Sequence, residues 1–97
     1  MAFSGIRSRL RDGEIVELEG VKLKMIPGKE DGSTLEPGDR YFAERNSGPK
    51  LLTVDYIVDR EYAQEHGLSY SGWVVPTELA YSYDFHECVG VEILTEE

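Results

Sequence analysis

From Val16 to Met25 the side chains alternate between apolar and charged on both sides of one turn. Val16 and Leu18 alternate with Glu17 and Glu19, and beyond Gly20 Val21, Leu23 and Met25 alternate with Lys22 and Lys24. A period of two about a glycine turn predicts a β-hairpin, with Glu17 or Glu19 facing Lys22 or Lys24. Pro27 to Thr34 is charged and turn-forming, and reads as a loop. Pro37 and Gly38 suit the two central positions of a type II turn, which predicts a reversal over Leu35–Asp39.

Arg40 to Arg45 then reads as a strand, Asn46–Pro49 as a turn, and Lys50 to Val58 as a longer strand. In the longer strand Leu52, Val54, Tyr56 and Val58 share one face, and its β-branched and aromatic content favours a strand over a helix. Asp59 to Gly67 carries helix punctuation instead. Asp59 is a cap, Glu61 lies in the first turn, His66 in the last, and Gly67 stops the helix. Gly72 to Glu78 reads as a short strand that Pro76 confines to an edge or ends, and Leu79 to Phe85 as a turn or short helical segment. Glu87 to Leu94 is the last strand.

These elements predict a mainly β domain over 14–94: a small antiparallel barrel or sandwich of five to six strands with one short helix. Residues 1–13 read as a flexible basic arm, in which Ile6 and Leu10 are spaced for one helical turn, and 95–97 as an acidic tail. The 97 residues suit one domain, with about two-thirds of the surface buried on folding.

Charge narrows the partners. Ten Lys and Arg against nineteen Asp and Glu leave a net charge of −9. Met1 to Arg11 hold three arginines and no acid, whereas Glu61 to Glu97 hold eight acids and no Lys or Arg. The second half repels a phosphate backbone, so direct nucleic-acid binding is disfavoured except through Arg7, Arg9 and Arg11. No apolar run approaches a membrane span, and no apolar segment behind the arginines suggests a secretory signal. The single Cys88 makes no internal disulfide, which points to a reducing, cytoplasmic compartment.

The order of turns and strands resembles that of SH3-like barrels. Leu35-Glu36-Pro37-Gly38-Asp39 precedes the strand Arg40–Arg45, as an acidic Leu-x-x-Gly-Asp turn does there. Gly72-Trp73-Val74-Val75-Pro76 precedes Thr77–Tyr81 and the final strand, matching a Gly-aromatic-x-x-Pro strand, a helical turn and a last strand. The resemblance spans residues 14–94 and implies an architecture, not a proline-rich ligand. The chain departs from the pattern in its helix at 59–67 and in lacking an adjacent Trp-Trp pair.

Candidate chemistry is sparse. Asp84, His86 and Cys88 would leave one face of an extended chain, and all three side chains can ligate zinc. A structural site wants four ligands, and His66 is the only other histidine. Cys88 with a histidine is also a nucleophile–base pair by type, but residues i and i+2 lie about 6.5 Å apart along a strand. Motifs for phosphates, nucleotides or a catalytic serine are missing, so no cofactor is expected and an enzyme is disfavoured.

Aromatic side chains concentrate where basic ones are missing. Tyr62, Tyr70, Trp73, Tyr81, Tyr83 and Phe85 fall within 24 residues. Tyr and Trp beside acids suit a protein partner of positive charge. The expectation is a non-enzymatic interaction module, one version being an acidic inhibitor of a basic protein. Its contact residues would be Tyr70, Trp73, Glu78, Tyr81, Tyr83 and Asp84. The alternatives are a metal- or thiol-dependent activity at Asp84, His86 and Cys88, and a structural subunit that pairs through exposed strand edges.

Overall fold

The computed structural model describes residues 5–45 and 48–94. The turn residues Asn46 and Ser47, the start of the arm and the acidic tail lie outside the described residues.

The hairpin forms as the alternation dictates. Strands β1 (Val16–Leu18) and β2 (Val21–Met25) pair antiparallel with Glu17 opposite Lys22. Glu19 and Gly20 both have positive φ, 53° and 82°, the backbone of a tight two-residue hairpin turn. A 3₁₀ turn (Gly32–Thr34) follows, with the Asp31 carboxylate accepting the Ser33 amide. The Pro37-Gly38 reversal is closed by the Asp39 amide donating to Glu36 at 3.0 Å. It leads into β3 (Arg40–Arg45), which pairs antiparallel with β4 (Gly48–Val58).

Helix α2 (Arg60–His66) has the ends its sequence announces. The Asp59 carboxylate accepts the Tyr62 amide at 2.9 Å, and Gly67 takes the left-handed conformation at the C-terminus. Next come β5 (Trp73–Pro76), β6 (Tyr83–Asp84), a second 3₁₀ turn (Phe85–Glu87) and β7 (Cys88–Leu94). No helix is long and apolar enough to cross a membrane among the described residues.

The closed barrel of five to six strands is corrected. The described residues form a seven-stranded antiparallel sheet in the order β1-β2-β7-β3-β4-β5-β6. The end strands β1 and β6 do not pair, so the sheet stays open. Two of its strands change partners along their length. β7 pairs with β3 through Cys88–Gly90 and with β2 through Val91–Leu94. β4 pairs with β3 through Gly48–Thr53 and with β5 from Val54 onward, across an irregularity at Asp55. Gly90 sits at the β7 switch, and packing there leaves no room for a side chain: an added Cβ would lie 2.8 Å from both Leu35 Cδ2 and Lys29 Cβ.

An open sheet has two faces to cover, and this one carries a core on each. Tyr41, Ala43, Leu52, Val54, Val74, Tyr83 and Cys88 fill one, together with Leu35. Leu10, Val16, Leu23, Phe42, Val89 and Val91 fill the other. Tyr41, Phe42 and Ala43 are therefore buried in succession, because β3 runs between the two cores. The second core is capped by helix α1 (Ile6–Arg11), which presents Ile6 and Leu10 to it. Leu10 is fully buried.

Candidate functional site

The sheet register separates the predicted contact residues. Directly opposed residues on neighbouring strands share a face. Val74 lies across from Tyr83, and both point into the first core. Trp73 lies across from Asp84, so these two leave the opposite, outer face. Val75 has the parity of Trp73, and its partner Tyr56 joins the same outer face.

The outer face is walled by aromatic rings. Tyr70, 67% exposed, packs its ring 5.1 Å from that of Trp73, tilted by 51°. Tyr56 stacks on Tyr62 of α2 at 5.3 Å, and Tyr62 stacks on His66 at 4.0 Å. Tyr56 and His66 were not among the predicted contacts. Strict alternation along β4 would set Tyr56 on the face of Leu52 and Val54, which point into the first core, but the irregularity at Asp55 turns Tyr56 to the outer side.

The remaining predicted contacts have other surroundings. Tyr83 is fully buried, and burial pushes its phenol up to about 12. Tyr81 is 46% exposed, with its ring 5.8 Å from that of Tyr83. Glu78 is exposed, but one carboxylate oxygen accepts the Thr53 amide at 2.9 Å, giving β4 a partner just beyond the end of β5. Burial tends to raise the Glu78 pKa, yet the hydrogen bonds from Thr53 outweigh it and hold it below its ordinary value.

The face expected to unite Asp84, His86 and Cys88 does not form. Phe85 to Glu87 turn as a 3₁₀ segment, so the chain is not extended between them. The ligand atoms of Asp84, His86 and Glu87 come within 4.8 Å of one another instead. Glu87 is already committed. Its oxygens accept the Arg45 guanidinium at 2.7 and 3.2 Å, and Oε1 also accepts the Asp84 amide at 2.9 Å. A metal there would have to displace a bidentate ion pair, leaving two exposed ligands for an ion that prefers four. The Asp-x-x-Glu spacing of Asp84 and Glu87 was the available signal, since it places a carboxylate where it reaches back to the first amide of a turn.

Cys88 is buried in the first core, and its thiol donates to the Asp84 carbonyl at 3.4 Å. Burial pushes the thiol up to about 12, which removes the thiolate a nucleophile or metal ligand requires. Asp55, within an apolar stretch of sequence, is exposed where the β4 register shifts.

The basic arm is internally employed. Arg11 donates to the carbonyls of Glu30 at 2.8 Å and His86 at 2.9 Å, and Arg9 pairs with Glu14 at 2.9 Å. Arg7 makes longer contacts to the Glu44 and Glu87 carbonyls, at 3.4 and 3.5 Å. These arginines tie α1 to the loops around it.

Compared with known proteins, the chain matches no family model, no curated protein and no solved structure.

Proposed function

We propose that this chain is a non-enzymatic protein-interaction module that docks on a basic partner through the outer face of β5–β6 and the adjoining rings of Tyr70, Tyr56 and α2. The observation that carries this reading is the opposition of Trp73 and Asp84 across β5 and β6, with exposed Tyr70 against Trp73. An aromatic surface with an acid beside it offers both desolvation energy and charge complementarity to a cationic surface. The charge asymmetry points the same way, because no Lys or Arg follows Arg60. The side chains best suited to catalysis are engaged elsewhere: Cys88 is a buried thiol and Glu87 holds Arg45. An inhibitor that occupies the basic site of its target is one form of such a module.

The test is capture of a partner from cells of the source organism. Three proteins are compared: the natural chain, a Tyr70→Ser/Asp84→Lys double variant, and Ile93→Ser. Ile93 is exposed on β7, toward the other edge of the sheet. A basic protein retained by the natural chain and by Ile93→Ser, but lost from a folded double variant, supports the reading. Equal retention by all three contradicts it.

A further inference from the structure

The molecule already contains one seat for a guanidinium. The Arg45 guanidinium carbon lies 4.6 Å from the centroid of the Tyr83 ring. Glu87 holds the same group through both carboxylate oxygens. A ring face supplies the quadrupole and a carboxylate supplies the matching fork, which together hold a planar cation in place.

One residue further along β6, the register sets a carboxylate residue opposite an aromatic one. Asp84 lies opposite Trp73, and Tyr70 forms a second wall tilted 51° from the indole. The Asp84 carboxylate reaches the Glu87 amide of its own turn in a capping box, and its charge acts on Arg45 beside it. Among the described residues Asp84 has no ion pair, and neither Tyr70 nor Trp73 carries a cation over its ring. Asp84 and Tyr70 are exposed, and Trp73 is half-buried. From Glu61 to Leu94 the chain has six acids and no Lys or Arg, so the local field favours an incoming cation.

We propose that Tyr70, Trp73 and Asp84 form the seat of an arginine side chain supplied by the partner. This rests on the docking surface described above and names its anchoring contact. Arginine fits better than lysine because its planar group stacks on a ring while donating two parallel hydrogen bonds to a carboxylate. An ammonium is a compact, strongly hydrated charge and gives up that hydration reluctantly.

Trp73 is the only tryptophan, so its emission reports on the seat without interference from the six tyrosines when it is excited at the red edge of its absorption. The full chain is titrated at low salt with an acetylated, amidated peptide of alternating Gly and Arg, and with its Lys and citrulline counterparts. The Arg peptide should give a saturable change in emission that weakens with salt. The Lys peptide should bind several-fold more weakly, and the uncharged citrulline peptide should give no saturable change. Asp84→Asn should weaken Arg-peptide binding about tenfold. Tyr70→Leu should weaken it about threefold, with circular dichroism unchanged in both variants.

Absence of a saturable response to the Arg peptide overturns the proposal, as does an equal response to citrulline or full affinity in Asp84→Asn. If the Arg peptide fails while the chain still captures a protein through Tyr70 and Asp84, the arginine seat falls and the docking surface stands. If both fail, both fall.

Discussion

Glu87 grips the Arg45 guanidinium through both carboxylate oxygens, at 2.7 and 3.2 Å, and so ties the turn before β7 to the end of β3. The Glu87 side chain is only 15% exposed, and its Oε1 also accepts the Asp84 amide. Glu87→Gln keeps the shape but removes the charge and one acceptor of the fork. It should lower unfolding free energy by about 1–2 kcal/mol, measured by urea denaturation. A loss within experimental error of zero would mean that the pair is an incidental surface contact.

The same carboxylates set the acid limit of stability. Burial acts to raise the pKa values of Asp39, Glu78 and Glu87, yet hydrogen bonds and nearby cations outweigh it, and all three are lowered. A carboxylate whose pKa is lower folded than unfolded contributes stability above its unfolded value, and loses that contribution as pH falls through the folded value. Lys29 behaves in the opposite sense. Its hydrogen bond to Asp39 raises its pKa above 10.5, so its contribution is complete below that pH and is lost only as pH rises through the raised value. Tm should therefore be level between about pH 5 and 9 and fall as pH drops below about 4.5. A Tm that rises on acidification from pH 5 to 3 would contradict this, and would place relief of the net negative charge above the loss of these contacts.

The sequence carried the local signals well and the long-range ones poorly. Asp59, Gly67, Glu19-Gly20 and Pro37-Gly38 are short-range devices, and each sits where its chemistry placed it. The burial of Tyr41, Phe42 and Ala43 in succession defeats a period-two reading, because it depends on a second core on the far face of β3. Tyr81 and Tyr83 look equivalent in sequence. They separate only because the two-residue strand β6 sets Tyr83 against Val74, a pairing too short to leave a periodic signal. Trp73 and Asp84 were both legible as contact candidates, but their opposition was not, since it depends on that same pairing.

Helix α1 offers a sharper test of the two-core arrangement. Leu10 is fully buried among Val16, Leu23, Phe42, Val89 and Val91. Leu10→Ala should cost about 3 kcal/mol, the usual range for a buried leucine that leaves a cavity. A cost below about 0.5 kcal/mol, as for a surface position, would mean that the helix does not cover the second core.

Cys88 gives a chemical readout of the first core. Its buried thiol, pushed up to about 12, should fail to react with a disulfide reagent at neutral pH until the chain is unfolded in denaturant. Reaction of the native protein at the rate of a free thiol would contradict the burial and reopen a thiol-dependent activity.

We propose that a partner docks on the outer face bearing Tyr70, Trp73 and Asp84. The most direct measurement places a photo-crosslinking phenylalanine analogue at position 70 in one protein and at position 93 in another, followed by irradiation in cells of the source organism. Position 70 should give one discrete crosslinked product, containing a basic protein, and position 93 none of the same mass. The same product from both positions, or none from position 70 while position 93 crosslinks, would contradict it.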